Sequence, residues 1–527
     1  MKAFLMNLLR APRLQEHRSI LGLLLLVCMV PSLRAQSQRD DIFFKASGTG
    51  DLDRVKAPLD SGTDINAKSQ NGGTALEFAA CFGKVQLVRL LLDNGAEINA
   101  QDNRGATALH LATEQGQFDV VQVLLARGAE VNLQDNRGTT AVEMASQRGG
   151  TNVLNALLGR DADISLADND GYTALMWASQ EGQLNAVRIL LAQKANIKAR
   201  NKDGATASLL ASGNGHVEVL RELLAHGADI NVRRNDGATS LLLASQNGHV
   251  QVARELLERG ADVDASTTDG VTALYSASGS NHLEVVQMLL AKGAEIEAAD
   301  IDGLTAMYAA SQEGHVEIAQ ALLAKGAKVN TSSKAGWTPL MVASSHGHLD
   351  LVQLLLAKGA AINAKNGNRE TPLMLASLEG HVEVVRTLLA AKADVNVKAV
   401  DGSTALMFAA SKDHIEILQT LLDAKADTEA RMPHGSTALM VASEDGQLDL
   451  VKALLAKRAN ANAKDDIGQT ALMLASFSGH FDVVQALLAK GADVNARSNG
   501  GGTALSAATG EGHTDIVSLL IKAGAEQ

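Results

Sequence analysis

Histidine is the side chain best suited to acid–base or metal chemistry near neutral pH, and the chain carries 14 histidines among 527 residues. His346 and His348 form a His-x-His pair of the kind that can supply two zinc ligands, but no third ligand follows nearby. Asp-x-Asp-Gly runs at Asp168–Gly171 and Asp300–Gly303 share the opening of a calcium loop. They lack the glutamate six residues after the glycine that would complete the coordination shell, and turn chemistry accounts for them better. There is no phosphate-binding glycine loop, no His-Glu-x-x-His and no Gly-x-Ser-x-Gly. Catalysis, a bound metal and a cofactor are therefore not expected.

Nine of the histidines share one spacing. His216, His249, His282, His315, His348, His381, His414, His480 and His513 lie 33 residues apart or at a multiple of that interval. A residue repeated so regularly is expected to serve the architecture. The element that positions it is announced by Thr-Ala-Leu and its close variants. These begin at Thr74, Thr107, Thr140, Thr173, Thr206, Thr239, Thr272, Thr305, Thr338, Thr371, Thr404, Thr437, Thr470 and Thr503, with 33 residues between each and no insertion or deletion. Such a period marks a repeat array, in which each unit buries its apolar face against its neighbours.

Each position in the period has a physical reading. The threonine is an N-cap, its hydroxyl offered to free backbone N–H groups at the start of a first helix. Five residues on stands an alanine in every unit, from Ala79 to Ala508, small enough for helices to approach closely. Nine residues after the threonine comes glycine, with Asn281 and Asp413 as exceptions. These are the residue types that tolerate a left-handed turn. A second helix follows, its apolar stripe exemplified by Val120, Val121, Leu124 and Leu125. A second glycine closes it, except where Asp161, Lys194, Lys392, Lys425 and Arg458 stand. Glycine also precedes the threonine by two residues, with Arg369 as the exception.

The run Gly336-Trp-Thr-Pro-Leu-Met-Val-Ala-Ser-Ser-His-Gly-His-Leu-Asp-Leu-Val-Gln-Leu-Leu-Leu-Ala-Lys-Gly-Ala resembles an ankyrin repeat, whose pattern contains Thr-Pro-Leu-His-x-Ala in 33 residues. The resemblance covers Asp41 to Gln527. It implies an all-α repeat solenoid, an ankyrin-type stack of helix-turn-helix units with β-turn or hairpin loops. The pattern's proline is kept at Pro339 and Pro372 and its first-helix histidine at His110. Methionine replaces that histidine at Met176, Met341, Met374, Met407, Met440 and Met473, so those layers should rely more on dispersion packing. Ser208 stands where other units have Leu, Val or Met and marks a soft layer.

The domain plan reads as a leader over 1–35, a short linker over 36–40, a degenerate capping unit over 41–67 and fourteen repeats over 68–527. In the capping unit Asp41 takes the threonine position and Pro58 should kink the second helix. Lys2, Arg10, Arg13 and Arg18 lead into the apolar run Ile20–Val30 and a cut expected after Ala35, the pattern of a secretory signal. Eleven residues rise only about 16 Å as a helix against roughly 30 Å of hydrocarbon, so a stable membrane span after cleavage is not expected. An uncleaved, membrane-anchored leader is the alternative. Cys28 would leave with the leader, and Cys81 alone can form no intramolecular disulfide. The leader beside such repeats suggests a bacterial protein of the periplasm or exterior.

Composition and charge narrow the partners. With 47 Lys+Arg against 59 Asp+Glu the formal net charge is −12, which argues against nucleic acid. Aromatic residues are only 3% of the chain, as expected for thin layers filled by Ala, Leu and Val. The resemblance implies recognition of partner proteins by turn tips and first helices, on a concave face. Before the threonine, most units carry a small or polar residue, but Tyr172, Val271, Leu304 and Trp337 are large. Three of these are consecutive, so Val271, Leu304 and Trp337 should align as an apolar strip with Ile301 nearby. Leu378, Phe82 and Phe477 are isolated apolar candidates. The expectation is a monomeric, non-enzymatic scaffold binding protein partners. The alternatives are an effector or inhibitor acting on a host or competitor protein, and a passive spacer.

Overall fold

The computed structural model describes residues 38–60 and 62–526, so the expected leader, its cut after Ala35 and linker residues 36 and 37 lie outside the described residues. Among the described residues every named element is an α-helix, and none is long and apolar enough to cross a membrane. They fall into two compact units, one ending at Asn169 and one beginning at Asp170. Each unit is an all-α repeat solenoid: a short first helix, such as Ala108–Glu114, turns back into a second, such as Phe118–Ala126, and the pair packs on the next pair.

The repeat's invariant residues do what their chemistry predicts. Thr107 is extended (φ −98°, ψ 171°) and its hydroxyl accepts from the His110 N–H. The same cap forms at the other threonines except Thr206 and Thr404. The alanines five residues on are essentially inaccessible, as are the leucines from Leu91 to Leu520 seventeen residues after each threonine. Ser208 shows why its layer is soft. Buried in place of an apolar side chain, its hydroxyl lies 3.0 Å from that of Thr206, which makes no cap bond.

Left-handed turns appear at every exceptional position named from the sequence. Asp161, Lys194, Asn281, Arg369, Lys392, Asp413, Lys425 and Arg458 all have positive φ, between 56° and 68°. Where the glycine between the two helices is kept and a histidine follows in the next repeat, there is a second reason for it. A Cβ on Gly182 (φ 72°) would meet His216 Nδ1 at 2.5 Å.

The nine period-spaced histidines each sit at the N-cap position of a second helix yet make no cap bond. Each ring reaches back to the preceding repeat. His216 Nε2 pairs with the Gln180 carbonyl at 2.9 Å, and the other eight histidines do the same to the equivalent carbonyl. The longest of these bonds, 3.3 Å, belongs to His315, which follows Asn281 instead of glycine. Two further ladders join repeats. An Asn, Asp or Glu side chain accepts a backbone N–H from 31 residues ahead, as Asn330 does from Ala361 at 2.7 Å. At the turn tips a backbone N–H donates to the carbonyl of the preceding tip, as Ile301 does to Asp269 at 2.8 Å.

A junction in the second unit lacks the tip bond and the histidine bond together. Between the Thr404 and Thr437 repeats the tip residue is Pro433, which has no N–H to donate. The histidine slot there holds Gln447, whose Oε1 is buried without a partner among the described residues. The turn it follows has Asp413, left-handed at φ 57°, in place of glycine.

In the first unit, Phe44 lies 5.6 Å from Phe78 between ring centroids, coupling the capping helices to the first full repeat. The first capping helix runs Gln38–Thr49, so Asp41 is inside it and does not occupy an N-cap. The second, Leu52–Asp60, continues through Pro58. The third helical residue of the first three repeats is ionisable and buried: Glu77, His110 and Glu143. His110 Nδ1 accepts from the Thr107 N–H, and Nε2 lies 3.2 Å from the Thr139 carbonyl of the next repeat. Burial holds its pKa below the usual histidine value, so the ring is neutral. Glu77 and Glu143 complete capping boxes through one carboxyl oxygen, while Oε1 of each has no partner among the described residues. Burial pushes both carboxyls up to about 8, so the acids are neutral at pH 7.

Two expectations follow from these features. Replacing Lys194, Lys392, Lys425 or Arg458 by Gly should stabilise the chain by about 1 kcal/mol each, read as a higher urea midpoint at unchanged slope. An unchanged midpoint would remove the strain argument. For Glu77 and Glu143 the folded pKa lies above the unfolded value of 4.5. Their favourable contribution is complete below that pH and is lost as pH rises towards about 8. Melts of the wild type and of a Glu77→Gln/Glu143→Gln variant should therefore diverge in the variant's favour between about pH 5 and 8. A difference that does not change with pH would contradict the buried-acid assignment.

Candidate functional site

The turns before Thr272, Thr305 and Thr338 are built by one device. The residue four places before the apolar one donates its N–H to the apolar residue's carbonyl and accepts that residue's N–H on its side-chain oxygen. Thr267 clamps Val271 (2.9 and 3.1 Å), Asp300 clamps Leu304 (3.1 and 2.8 Å), and Ser333 clamps Trp337 (2.9 and 3.1 Å). Short Thr, Asp and Ser side chains at that place satisfy the turn locally. The Asp300–Gly303 run is thus a turn whose carboxylate is engaged by the Asp302 and Leu304 N–H groups.

Because three successive turns share one clamp and are joined tip to tip, Val271, Leu304 and Trp337 leave the backbone at equivalent points of adjoining repeats. All three are half-buried. Ile301, at the tip between them, is 56% exposed. Behind this row the third residues of two first helices are Tyr275 and Tyr308, also half-buried. Burial, and after it Asp300, Tyr308, Glu313 and Asp302, hold the Tyr275 proton more tightly than usual. Burial and Asp300 do the same for Tyr308. The two phenols and these carboxylates therefore share one neighbourhood. Neither tyrosine stands out from the sequence as a candidate. The signal was present, since they sit one period apart at the position that elsewhere holds His, Glu, Met, Leu or Ser.

Other candidates lie elsewhere. Tyr172 packs on Trp177 of its own repeat, ring centroids 4.8 Å apart at 31°. Leu378 is half-buried, and its carbonyl takes the His414 bond. Phe82 is exposed, its ring close to Gly48 of the capping unit. Phe477 is exposed in the Thr470 repeat, its carbonyl accepting from His513. The structure brings none of these four to the row of Val271, Leu304 and Trp337. Two exposed tip residues were not singled out from the sequence, Val400 and Ile467.

The pair His346 and His348 stacks at 5.9 Å with rings nearly parallel. His346 Nδ1 is bonded to the Val342 carbonyl and His348 Nε2 to that of Gln312. Among the described residues no group of three or more His, Cys, Asp or Glu is placed to hold a metal ion.

Comparison with known proteins agrees with the geometry. The family model for ankyrin repeats (three copies) matches residues 43–135, 141–234, 192–267, 209–300, 263–333, 297–366, 373–465, 406–498 and 439–527. No curated protein was found to match the chain. Repeats of this kind are generally protein–protein interaction modules. With paired helices, capped threonines and laddered turns over nearly all of its described length, the chain belongs to the ankyrin-repeat family.

Proposed function

We propose that this chain is an exported, non-enzymatic scaffold that binds partner proteins through the concave face carrying Val271, Ile301, Leu304 and Trp337. The observation that carries the reading is the clamped row itself. Large apolar side chains occupy equivalent points of three adjoining repeats, in a chain whose aromatic content is 3%. Half-buried anchors held by a rigid backbone lose little conformational freedom on binding, which is the setting in which a few residues carry most of an interface's energy. The basic lead and apolar run before residue 31 support export to the periplasm or exterior.

Affinity capture from the native compartment, with chemical crosslinking and mass spectrometry, tests both parts. A Val271→Ser/Leu304→Ser/Trp337→Ser variant that still melts cooperatively should lose a partner that the wild type retains. Unchanged capture of every partner would overturn the docking row, and no partner for either protein would favour a passive spacer. The same spectra should place the mature N-terminus at Gln36; a chain still beginning at Met1 would overturn cleavage.

A further inference from the structure

The charge around the row is not neutral, and the row has a definite pitch. The tip carboxylates Asp269 and Asp302 are exposed on either side of Ile301, and neither has a side-chain partner shown among the described residues. Glu313, also exposed, lies at the far end of the first helix that starts at Thr305. It stands near enough to Tyr275 to act on its proton. Negative charge thus borders the apolar row at the tips and at the helix ends. At the Trp337 end the cations are Lys334 and, one turn on, Arg369; at the other end Arg234 is already paired with Asp236 and Arg233 donates to the Ser266 carbonyl.

The first helices Ala273–Gly279, Ala306–Glu313 and Pro339–Ser345 pack side by side. Packed helices stand roughly 8–10 Å apart, which sets the pitch of Val271, Leu304 and Trp337. A polyproline-type helix rises about 3.1 Å per residue with three residues per turn. Every third side chain then falls on one face roughly 9 Å from the last, in step with the repeats. A β-strand advances about the same distance over three residues but turns that side chain to the opposite face. Proline-rich segments also dock on aromatic-lined grooves. Of the three tyrosines and two tryptophans in this chain, Tyr275, Tyr308 and Trp337 fall in these three successive repeats.

Resting on the docking row proposed above, we infer that its occupant is a basic, proline-rich segment in the polyproline conformation. An apolar side chain at every third position meets Val271, Leu304 and Trp337 in turn. Lysine or arginine between these anchors faces Asp269, Asp302 and Glu313.

A fluorescein-labelled synthetic peptide of repeated Leu-Pro-Lys triplets, titrated into the full chain, tests the inference by anisotropy. Binding should saturate and should weaken with added salt. Leu304→Ser or Trp337→Ser should weaken it by about tenfold or more. The exposed pair Asp269→Asn/Asp302→Asn, which leaves the core intact, should weaken it less and reduce its salt dependence. A Leu-Pro-Glu peptide should bind far more weakly. Equal binding of the two peptides, or no binding of the lysine peptide at millimolar concentration, would overturn the inference. If the serine triple variant nevertheless loses a captured partner, the docking row stands and only the class of occupant falls. A crosslinked partner segment that is helical or acidic would likewise overturn the occupant and leave the row standing. If the partner and the peptide are both unaffected by the variants, the row falls too.

Discussion

A seven-residue helix such as Ala108–Glu114 cannot form alone, because so few hydrogen bonds do not offset the cost of its nucleation. Every layer of this protein exists because its neighbours cover it, and the bonds that matter most are those leaving one repeat for the next. The histidine at the N-cap of the second helix illustrates the priority. Capping its own helix would contribute a local bond. The ring instead reaches the carbonyl of the preceding repeat, passing a glycine on which a Cβ would crowd it; past Asn281 the bond still forms but is the longest of the nine. Two invariant-looking features of the sequence, His and Gly, are thus two ends of one contact between repeats.

That dependence explains what could be read in advance. Period, caps, core alanines and left-handed turns are properties of one repeat, restated many times, so single departures stand out. Lys194 and Arg369 were legible as left-handed because glycine occupied their places elsewhere, and the backbone has φ of 63° and 61° there. The capping unit had no such register. Asp41 looked like an N-cap by its distance from Gly50, but the helix begins at Gln38. The degenerate unit buries Phe43 and Phe44 from within its first helix, and counting from the period could not supply where that helix starts.

The site was legible in part, for a different reason. Val271, Leu304 and Trp337 could be aligned by spacing alone. Tyr275 and Tyr308 were missed because their position was read only as the place of a first-helix histidine. Their relation to Asp300 and Glu313 depends on how adjoining repeats approach. The third-residue position proves versatile. In the first unit it holds acids kept neutral by burial, and later it holds Met sulfur. At Met341 and Met374 the sulfur itself receives the threonine N–H, at 3.5 and 3.4 Å. At those two positions methionine keeps a weak version of the histidine's local bond while giving up its reach to the next turn.

The junction at Pro433 carries a consequence of another kind. A linear array bears tension through its interfaces in series, so pulling on its ends loads each of them equally. The Thr404–Thr437 interface has no tip donor at Pro433 and no histidine at Gln447, where Oε1 is buried without a partner among the described residues. Within the unit that begins at Asp170, it is the interface expected to part first under force. The repeats on its C-terminal side would then come away as a folded block while the row at Val271, Leu304 and Trp337 kept its shape.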